Sequence, residues 1–514
     1  MVEVDARDAR IAELEAQVDA RDARIAELEA QVYARDARIA ELEAQVAARD
    51  EVIARLMAKV EALTARVAEL EARLNQNSSN SSRPPSSDAP GTPRQPKKPT
   101  GRRPGGQPGH KKHERALLPP EDVQHVVELV PRECRGCKRR LHGRDSVPRR
   151  HQVVEVPPLS ALVTEYRCHA LQCPDCGVVT RGEVPAHARS AFGDRLAALA
   201  SLLVGKYRLS KRLVKDALSD MLGVELSVGS VSNLEGEISQ ALAPATAEAL
   251  ASVRASEAAC ADETGFAQGR EGGRPGRAWL WVVATALVVV FHIARSRGGK
   301  VARQLLGEDF TGFLTTDRWS AYEWVDAGLR QLCWAHLTRD FQGFIDRGGR
   351  GGRIGRELMR ERNRFFKWYH RVRDGTMTRE HFEKRMRGVE RRVGQLLREA
   401  ARRAEKKTAG MAREILQWEK CLWTFVDVPS LEPTNNFGER CIRHAVMYRK
   451  TSFGTQSEEG SRFVERIFTA TTTLKLQGRD VLAFLSDTLA AHRRGLRGPS
   501  LLPTSPVPQF ALSA

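Results

Sequence analysis

Apolar positions in the first 74 residues recur on a heptad rhythm. The unit DARDARIAELEAQV, 14 residues long, begins at Asp5, returns at Asp19 and comes back as a near copy at Tyr33. With Ile11 at position a, the a series continues Val18, Ile25, Val32, Ile39, Val46, Ile53, Val60, Val67 and Leu74. The d series supplies Leu14, Leu28, Leu42, Leu56, Leu63 and Leu70. Branched residues at a with Leu at d favour a parallel two-stranded coil. Arg7, Arg21, Arg35 and Arg49 also fall on d positions and disfavour a slip of one heptad, because Arg would then face Leu. The pattern predicts a leucine-zipper-like coiled coil over 1–74 that pairs two copies of the chain.

The rhythm stops at Asn75. Residues 75–120 (NQNSSNSSRPPSSDAP and onward) have little to bury and many Pro, Ser and Gly, which predicts a disordered linker. It is basic through Arg94, Lys97, Lys98, Arg102, Arg103, Lys111 and Lys112, so it is either an arm along phosphates or a solvated tether. From Gly193 a helical period appears. DRLAALASLLVG predicts one helix, and SKRLVKDALSDML a second that ends at Gly223. A third helix opens at Ser227. Helix, Gly-containing turn, helix is a helix-turn-helix pattern over 191–250, with a plain helical bundle as the alternative. In the former, Ser227, Ser230, Ser232 and Asn233 would face a DNA groove.

After Ala258 short apolar runs alternate with helical stretches. Ala278–Ala294 (AWLWVVATALVVVFHIA) falls short of the roughly 20 residues of a membrane-spanning helix. Its Val content predicts two buried strands meeting near Ala284–Ala286. One strand is expected to end at Asp262 and Glu263, another at Thr316 before Asp317, and a third near Leu332. A long helical stretch follows from Arg353 to about Trp423, carrying 20 Lys/Arg against 8 Asp/Glu between Arg350 and Lys407. It reads as an inserted helical hairpin whose basic face either follows a DNA backbone or is simply solvated.

Charge and cysteines sharpen this picture. The 514 residues carry 82 basic and 64 acidic side chains, a net charge of +18, which fits a polyanionic partner. Met1 leads directly into charged repeats, so a cytoplasmic location is expected. Cys134-Arg-Gly-Cys137 and Cys173-Pro-Asp-Cys176 each place two thiols on a knuckle, and two knuckles make a tetrahedral Cys₄ zinc site over 121–190. Cys168, His169 and His142 are possible substitutes. A closed four-thiolate site has no open position, so its role would be scaffolding.

Three acids stand apart. Asp262 lies in ACADETGF, Asp317 in FLTTDRWSAY and Glu439 in PTNNFGERCIR. Two acids at strand ends and one on a late helix can hold two divalent cations for phosphodiester chemistry, since Mg²⁺ prefers oxygen ligands. Each acid also has a local explanation. Asp262 fits a turn, Asp317 a cap, and Asn436 with Glu439 the spacing of a capping box.

The residues NSSNSSRPPSSD, GGQPGH, the two CxxC pairs, ADETG, TDRWSAY, CWAHLTRDF, PTNNFGER, RKTSFGTQSEEG and LQGRDVLAFLSDTLAAH run in order from about Asn77 to His492. Through them the chain resembles the insertion-sequence-66 family of bacterial transposases. The resemblance implies a ribonuclease-H-like core over 251–475 with a helical insertion at 351–430, and a C-terminal helix and tail over 476–514. It also implies an Asp-Asp-Glu triad falling on Asp262, Asp317 and Glu439 as ligands of Mg²⁺ (or Mn²⁺), with Glu263 as the alternative to Asp262. Asn435, Asn436 and Arg440 look like supports, and His336 and Arg339 like motif members whose role the sequence does not show.

The fold class expected is thus multidomain α/β: coiled coil, zinc module, helix-turn-helix and ribonuclease-H-like core. The implied activity is cleavage at inverted-repeat ends and joining of the 3′-hydroxyls to target DNA, by a nucleoid-associated bacterial protein with possible accessory proteins. A DNA-binding regulator without catalysis, or a metal nuclease that cuts without joining, are the alternatives.

Overall fold

The computed structural model describes residues 2–81, 88, 115–271 and 274–503. The chain is a multidomain α/β protein that divides into two units, 1–78 and 79–514. The first unit is one helix, α1 (Val2–Leu74). Ala, Leu, Glu and Arg, all good helix formers, supply most of it. Arg10–Glu13, Arg24–Glu27 and Arg38–Glu41 pair at the same point of each repeat. Its seam residues Ile11, Leu14, Ile25 and Leu28 stay about half exposed, as a helix with no core of its own must leave them. Residues 82–87 and 89–114 of the expected linker, with the basic arm, lie outside the described residues. Among the described residues no helix is long and apolar enough to cross a membrane.

The second unit begins with 115–190, which holds the short antiparallel ribbon β1 (Ala170–Gln172) and β2 (Val179–Arg181). Three helices follow: α2 (Asp194–Gly205), α3 (Lys211–Leu222) and α4 (Val228–Arg254). The stops and starts are those the sequence announces. Gly223 takes a left-handed φ of 64° to close α3, and the Ser227 hydroxyl accepts the Ser230 amide to open α4. The second helix of the expected helix-turn-helix is long, 27 residues, and one face of it is packed inward. Val231, Ile238, Leu242 and Val253 share one apolar core with the sheet and with Ile467 and Phe468.

That sheet comprises β3 (Ala258–Glu271), β4 (Arg274–Ala284) and β5 (Val289–Ala294), then, after α5 (Gly299–Leu306), β6 (Phe313–Thr316) and β7 (Arg330–Leu332). The spatial order is β5-β4-β3-β6-β7. The first three strands are antiparallel, and β3, β6 and β7 are parallel. The Val-rich run does form two strands, turning between Thr285 and Val288.

Asp262 is not at a strand end, as expected, but inside β3. The β3–β4 ribbon runs on to Glu271, whereas the parallel pairing of β3 with β6 stops at Cys260 and Thr315.

Beyond β7 come α6 (Trp334–Arg347), α7 (Gly349–Arg373), α8 (Arg379–Arg403), α9 (Lys406–Gln417) and the short α10 (Thr424–Asp427). They close on a second core of Trp334, Phe341, Phe365, Phe382 and Phe425. Fully burying one such ring is worth about 1.5–3 kcal/mol. Several arginines of this insertion are already paired, Arg353 with Glu357 and Glu399, and Arg398 with Glu419. The chain then returns to the sheet through α11 (Asn436–Ser452), α12 (Glu458–Leu476) and α13 (Val481–Arg493). Edge strand β5 would expose a row of amides. Instead, Thr473, Thr469 and Glu465, each one turn apart on α12, accept the N–H groups of Val289, Phe291 and Ile293.

Candidate active site

The parallel pairing places the first two acids. Cys260 lies opposite Thr315, so two residues further on Asp262, inside β3, comes beside Asp317, the first residue after β6. The Asp317 carboxylate accepts the Trp319 amide at 2.9 Å, and Asp262 accepts the Glu263 amide at 2.9 Å.

Glu439 comes from a segment far along the chain, and the PTNN stretch brings it. The Pro433 carbonyl accepts the Trp334 amide at 2.9 Å. Asn435 is buried; its side-chain amide donates to the Ala261 carbonyl at 2.8 Å, and its backbone N–H donates to the Cys333 sulfur at 3.1 Å. Gly438 is required here, because a Cβ would come within 2.6 Å of the Asn435 side-chain oxygen. At the far end of α11, the Arg449 guanidinium donates to the Gly265 carbonyl and, at 3.2 Å, to the Thr264 hydroxyl. Helix α11 is therefore fastened to β3 at both ends, with Glu439 facing Asp262 and Asp317.

The capping box suggested by Asn436 and Glu439 does not form. The N-cap residue is Asn435, whose side-chain nitrogen donates to β3 and whose side-chain oxygen makes no cap hydrogen bond. Asn436 is exposed.

The acids bear on one another electrostatically. Burial pushes the Asp262 carboxyl well above its ordinary range, and the charges of Glu263, Asp317 and Glu439 add to that shift. Glu439 is raised by burial, against the pull of Arg339 and Arg443, with Asp317 raising it further. Carboxylate oxygens are hard donors that suit Mg²⁺ or Mn²⁺; among the described residues the ligand atoms of these three acids do not all lie within 4.8 Å of one another.

Glu263, the alternative ligand, is engaged elsewhere. It points to the other face of β3, where Arg297 donates at 2.8 Å and the Tyr322 hydroxyl at 2.7 Å. Arg297 in turn lies on the Trp319 ring, 3.9 Å from its centroid.

His336 and Arg339 acquire a place. The Glu439 Oε1 atom has Arg339 Nη2 at 3.3 Å and His336 Nδ1 at 3.8 Å. Burial, together with Arg339 and Arg318, pulls the His336 imidazole down to about 4, so it is neutral near pH 7. The Nδ1 atom has no hydrogen-bond partner. Ligand atoms of Cys333, His336 and Glu439 all lie within 4.8 Å of one another. Burial pushes the Cys333 thiol up to about 12, and its sulfur accepts the Asn435 amide, so a tie between the start of α6 and the start of α11 accounts for it. Sequence reasoning missed Arg297, Tyr322 and the buried Arg318–Asp340 pair at 2.8 Å. The signal was present, since Tyr322 and Arg318 stand in TDRWSAY and Asp340 in CWAHLTRDF.

The cysteine pairs form two matching knuckles. Lys138 N–H returns to the Cys134 carbonyl and Gly177 N–H to that of Cys173, each from a residue with positive φ, 61° and 72°. Backbone amides of Cys137 and Gly136 lower the Cys134 thiol, and those of Cys176 and Asp175 lower Cys173. This favours the thiolate that zinc requires. The two knuckles are not brought together: among the described residues, Cys333, His336 and Glu439 are the only such group of three or more.

Of the residues expected to read DNA, Ser227 is occupied as a cap and Ser232 accepts Lys211 at 2.8 Å, while Asn233 is exposed and Ser230 half-buried. Arg440 points away from the acids and lies over the Phe437 ring.

Comparison with known proteins places these features in a family. The model of the Transposase IS66 family matches residues 190–462, which takes in all three acids. A second model, described as a family of unknown function, matches residues 33–116. Two similar proteins come from Sinorhizobium fredii. The uncharacterized protein y4qI is 28% identical over 406 residues, 73% of each chain. The uncharacterized protein y4hP is 25% identical over 421 residues, 72% of this chain and 73% of its own.

Proposed function

The chain belongs to the IS66 family of transposases, and we propose that it cuts DNA at the ends of its element and joins them to target DNA with Asp262, Asp317 and Glu439 as metal ligands. The observation that carries this reading is the half-buried Asp262 carboxyl, raised by desolvation and by the charges of Asp317 and Glu439. These acids come from three separated segments, and a purely structural role would not gather them. The strand order β5-β4-β3-β6-β7, three antiparallel and then two parallel, supports a ribonuclease-H-like core.

Bound divalent cations would activate the attacking oxygen and stabilise the leaving one. The chain's own residues supply placement. Adjacent parallel strands hold Asp262 and Asp317 rigidly. Asn435 and Arg449 fix α11, and Arg339 orients the Glu439 carboxylate while neutral His336 packs beside it. Glu263, tied to Arg297 and Tyr322, keeps β3 in position and is not a ligand. In the first step a water oxygen bonds to phosphorus at the element end and the 3′-oxygen leaves as a hydroxyl. In the second, that 3′-hydroxyl attacks a target phosphodiester, forms the new bond and releases a target 3′-hydroxyl.

The other parts fit an assembly that holds two DNA ends. The heptad seam of α1 would pair two protomers. Cys134, Cys137, Cys173 and Cys176 would hold Zn²⁺ as a scaffold, and the exposed start of α4 around Asn233 would contact the inverted repeats. Such a protein works on DNA in the bacterial cytoplasm. The test is Mg²⁺-dependent cleavage and joining of DNA carrying the element's ends, with Glu439→Gln as control. Several kcal/mol of transition-state charge stabilisation correspond to a loss of about a thousand-fold. Equal activity in the variant would remove the triad assignment, and cutting without joining would favour a nuclease.

A further inference from the structure

On the flank of α11 away from the acids lies a cavity of about 370 Å³, walled by Lys206, Phe437, Arg440, His444, Phe468 and Lys475. That volume is within the range of small-ligand sites. The buried strip of α11 contains Gly438, Cys441, Ile442 and Ala445. At about 100° per residue, Glu439 leaves one side of that strip, and Phe437, Arg440 and His444 leave the other. One helix thickness, about 10 Å, therefore separates the cavity from the third acid.

The chemistry of the wall is one-sided. Lys206 is lowered by burial and by Lys475; His444 is lowered by burial and then by Lys475, Arg208, Lys206 and Arg443. No carboxylate enters either balance, whereas Arg440 acts on the Glu432 carboxylate. The nearby Lys211 and Arg466 do have acceptors, in Glu235 and in Ser239. Lys206, His444 and Lys475, held together with no acid in their balance, favour an anion among them. The floor beneath is apolar and partly aromatic, with Phe437 half-buried and capped by Arg440, and Leu287 from the β4–β5 turn beside it. Cations beside an aromatic face match a phosphate joined to a base.

We propose that this cavity receives one unstacked nucleotide of the DNA, its base against Phe437 and its phosphate among Lys206, Arg440 and Lys475. The inference rests on the DNA-processing reading above and deepens it. A nucleotide seated there would hold the strand on the far side of the helix that presents Glu439.

The test compares two fluorescein-labelled duplexes of one sequence, flush or with a single extrahelical 2-aminopurine nucleotide, on the full-length protein. Wild type should prefer the bulged duplex by about ten-fold, the scale of one base–aromatic stack. Thr472→Trp, which fills the cavity, should abolish the preference and leave binding to the flush duplex intact. Lys475→Glu, at an exposed position, should weaken the bulged duplex and flatten its salt dependence by about one phosphate contact. An abasic bulge should bind like the flush duplex. Equal binding of both duplexes by wild type, or a preference that survives Thr472→Trp in a protein of unchanged melting temperature, would overturn the inference. So would competition by free dAMP as strong as by the bulged duplex, which would assign the cavity to a free nucleotide. Cleavage measured on the same samples separates the two readings. Wild type that cuts no DNA speaks against the transposase assignment, whereas a missing bulge preference in a protein that cuts speaks only against the cavity.

Discussion

Residues 115–190 and 191–503 belong to one unit, yet they order themselves by different means. The second stretch buries two apolar cores, with Leu314, Phe341 and Phe365 fully out of solvent. In the first not one residue is buried, although its sequence is rich in Val and Leu. Leu162 is 96% exposed and Leu129 89%. The difference lies in what the backbone allows. Long helices and a five-stranded sheet give apolar side chains a common face. Two cysteine knuckles and a three-residue ribbon do not, and a stretch this small usually needs a staple or a partner.

The sharpest way to break this contrast is to remove the staple. Cys173→Ser should lower zinc content and expose 121–190 to limited proteolysis while 191–503 keeps its melting transition. Structural zinc in small modules is worth about 10 kcal/mol, so the local effect should be complete. Zinc content near zero in the purified wild type, unchanged by the substitution, would refute the Cys₄ site. A paired substitution probes the cores directly. Phe341→Ala empties a fully buried position and should cost about 3–5 kcal/mol in denaturant unfolding. Leu162→Ala should change stability by less than about 0.5 kcal/mol. A large loss at Leu162 would mean that the module has a core after all.

The same contrast explains what could be read from the chain alone. Local signals were legible: the Val-rich run turns at Thr285, Gly223 stops a helix and Ser227 starts one. The three acids stood out in the sequence as a joint pattern, and their role as metal ligands is a proposal. What was not legible depends on partners distant in sequence. Glu263 competed with Asp262 on paper until Arg297 and Tyr322 claimed it, at separations of 34 and 59 residues. Asn436 had the spacing of a cap, but the neighbouring Asn435 reaches 174 residues back to Ala261. His336 and Arg339 had no role until α11 laid Glu439 against them. Asp262 was expected at a strand end because an acid interrupts the apolar run; the antiparallel partner β4 carries the strand on regardless.

A modest stability effect is expected within the well-packed region, at the place where packing works against itself. Asp262 is half-buried beside like charges, and its carboxyl is raised well above the usual range. A carboxyl raised in the folded state contributes its stability below the unfolded pKa and loses it as pH rises through the folded one. The charged form is therefore the costly one, and the cost is present at neutral pH but absent in acid. Asp262→Asn should stabilise the metal-free protein at pH 7 by on the order of 1 kcal/mol, the size of a typical stabilising substitution. The gain should shrink as pH falls toward 4, the ordinary aspartate range. Mn²⁺ or Mg²⁺ should raise the melting temperature of wild type and do so less in the variant, because each cation offsets the repulsion that the amide has already removed. The variant should also lose cleavage. A variant that is less stable than wild type at pH 7, or equally stabilised by Mn²⁺, would show that Asp262 is held by an unrecognised partner rather than poised for a cation.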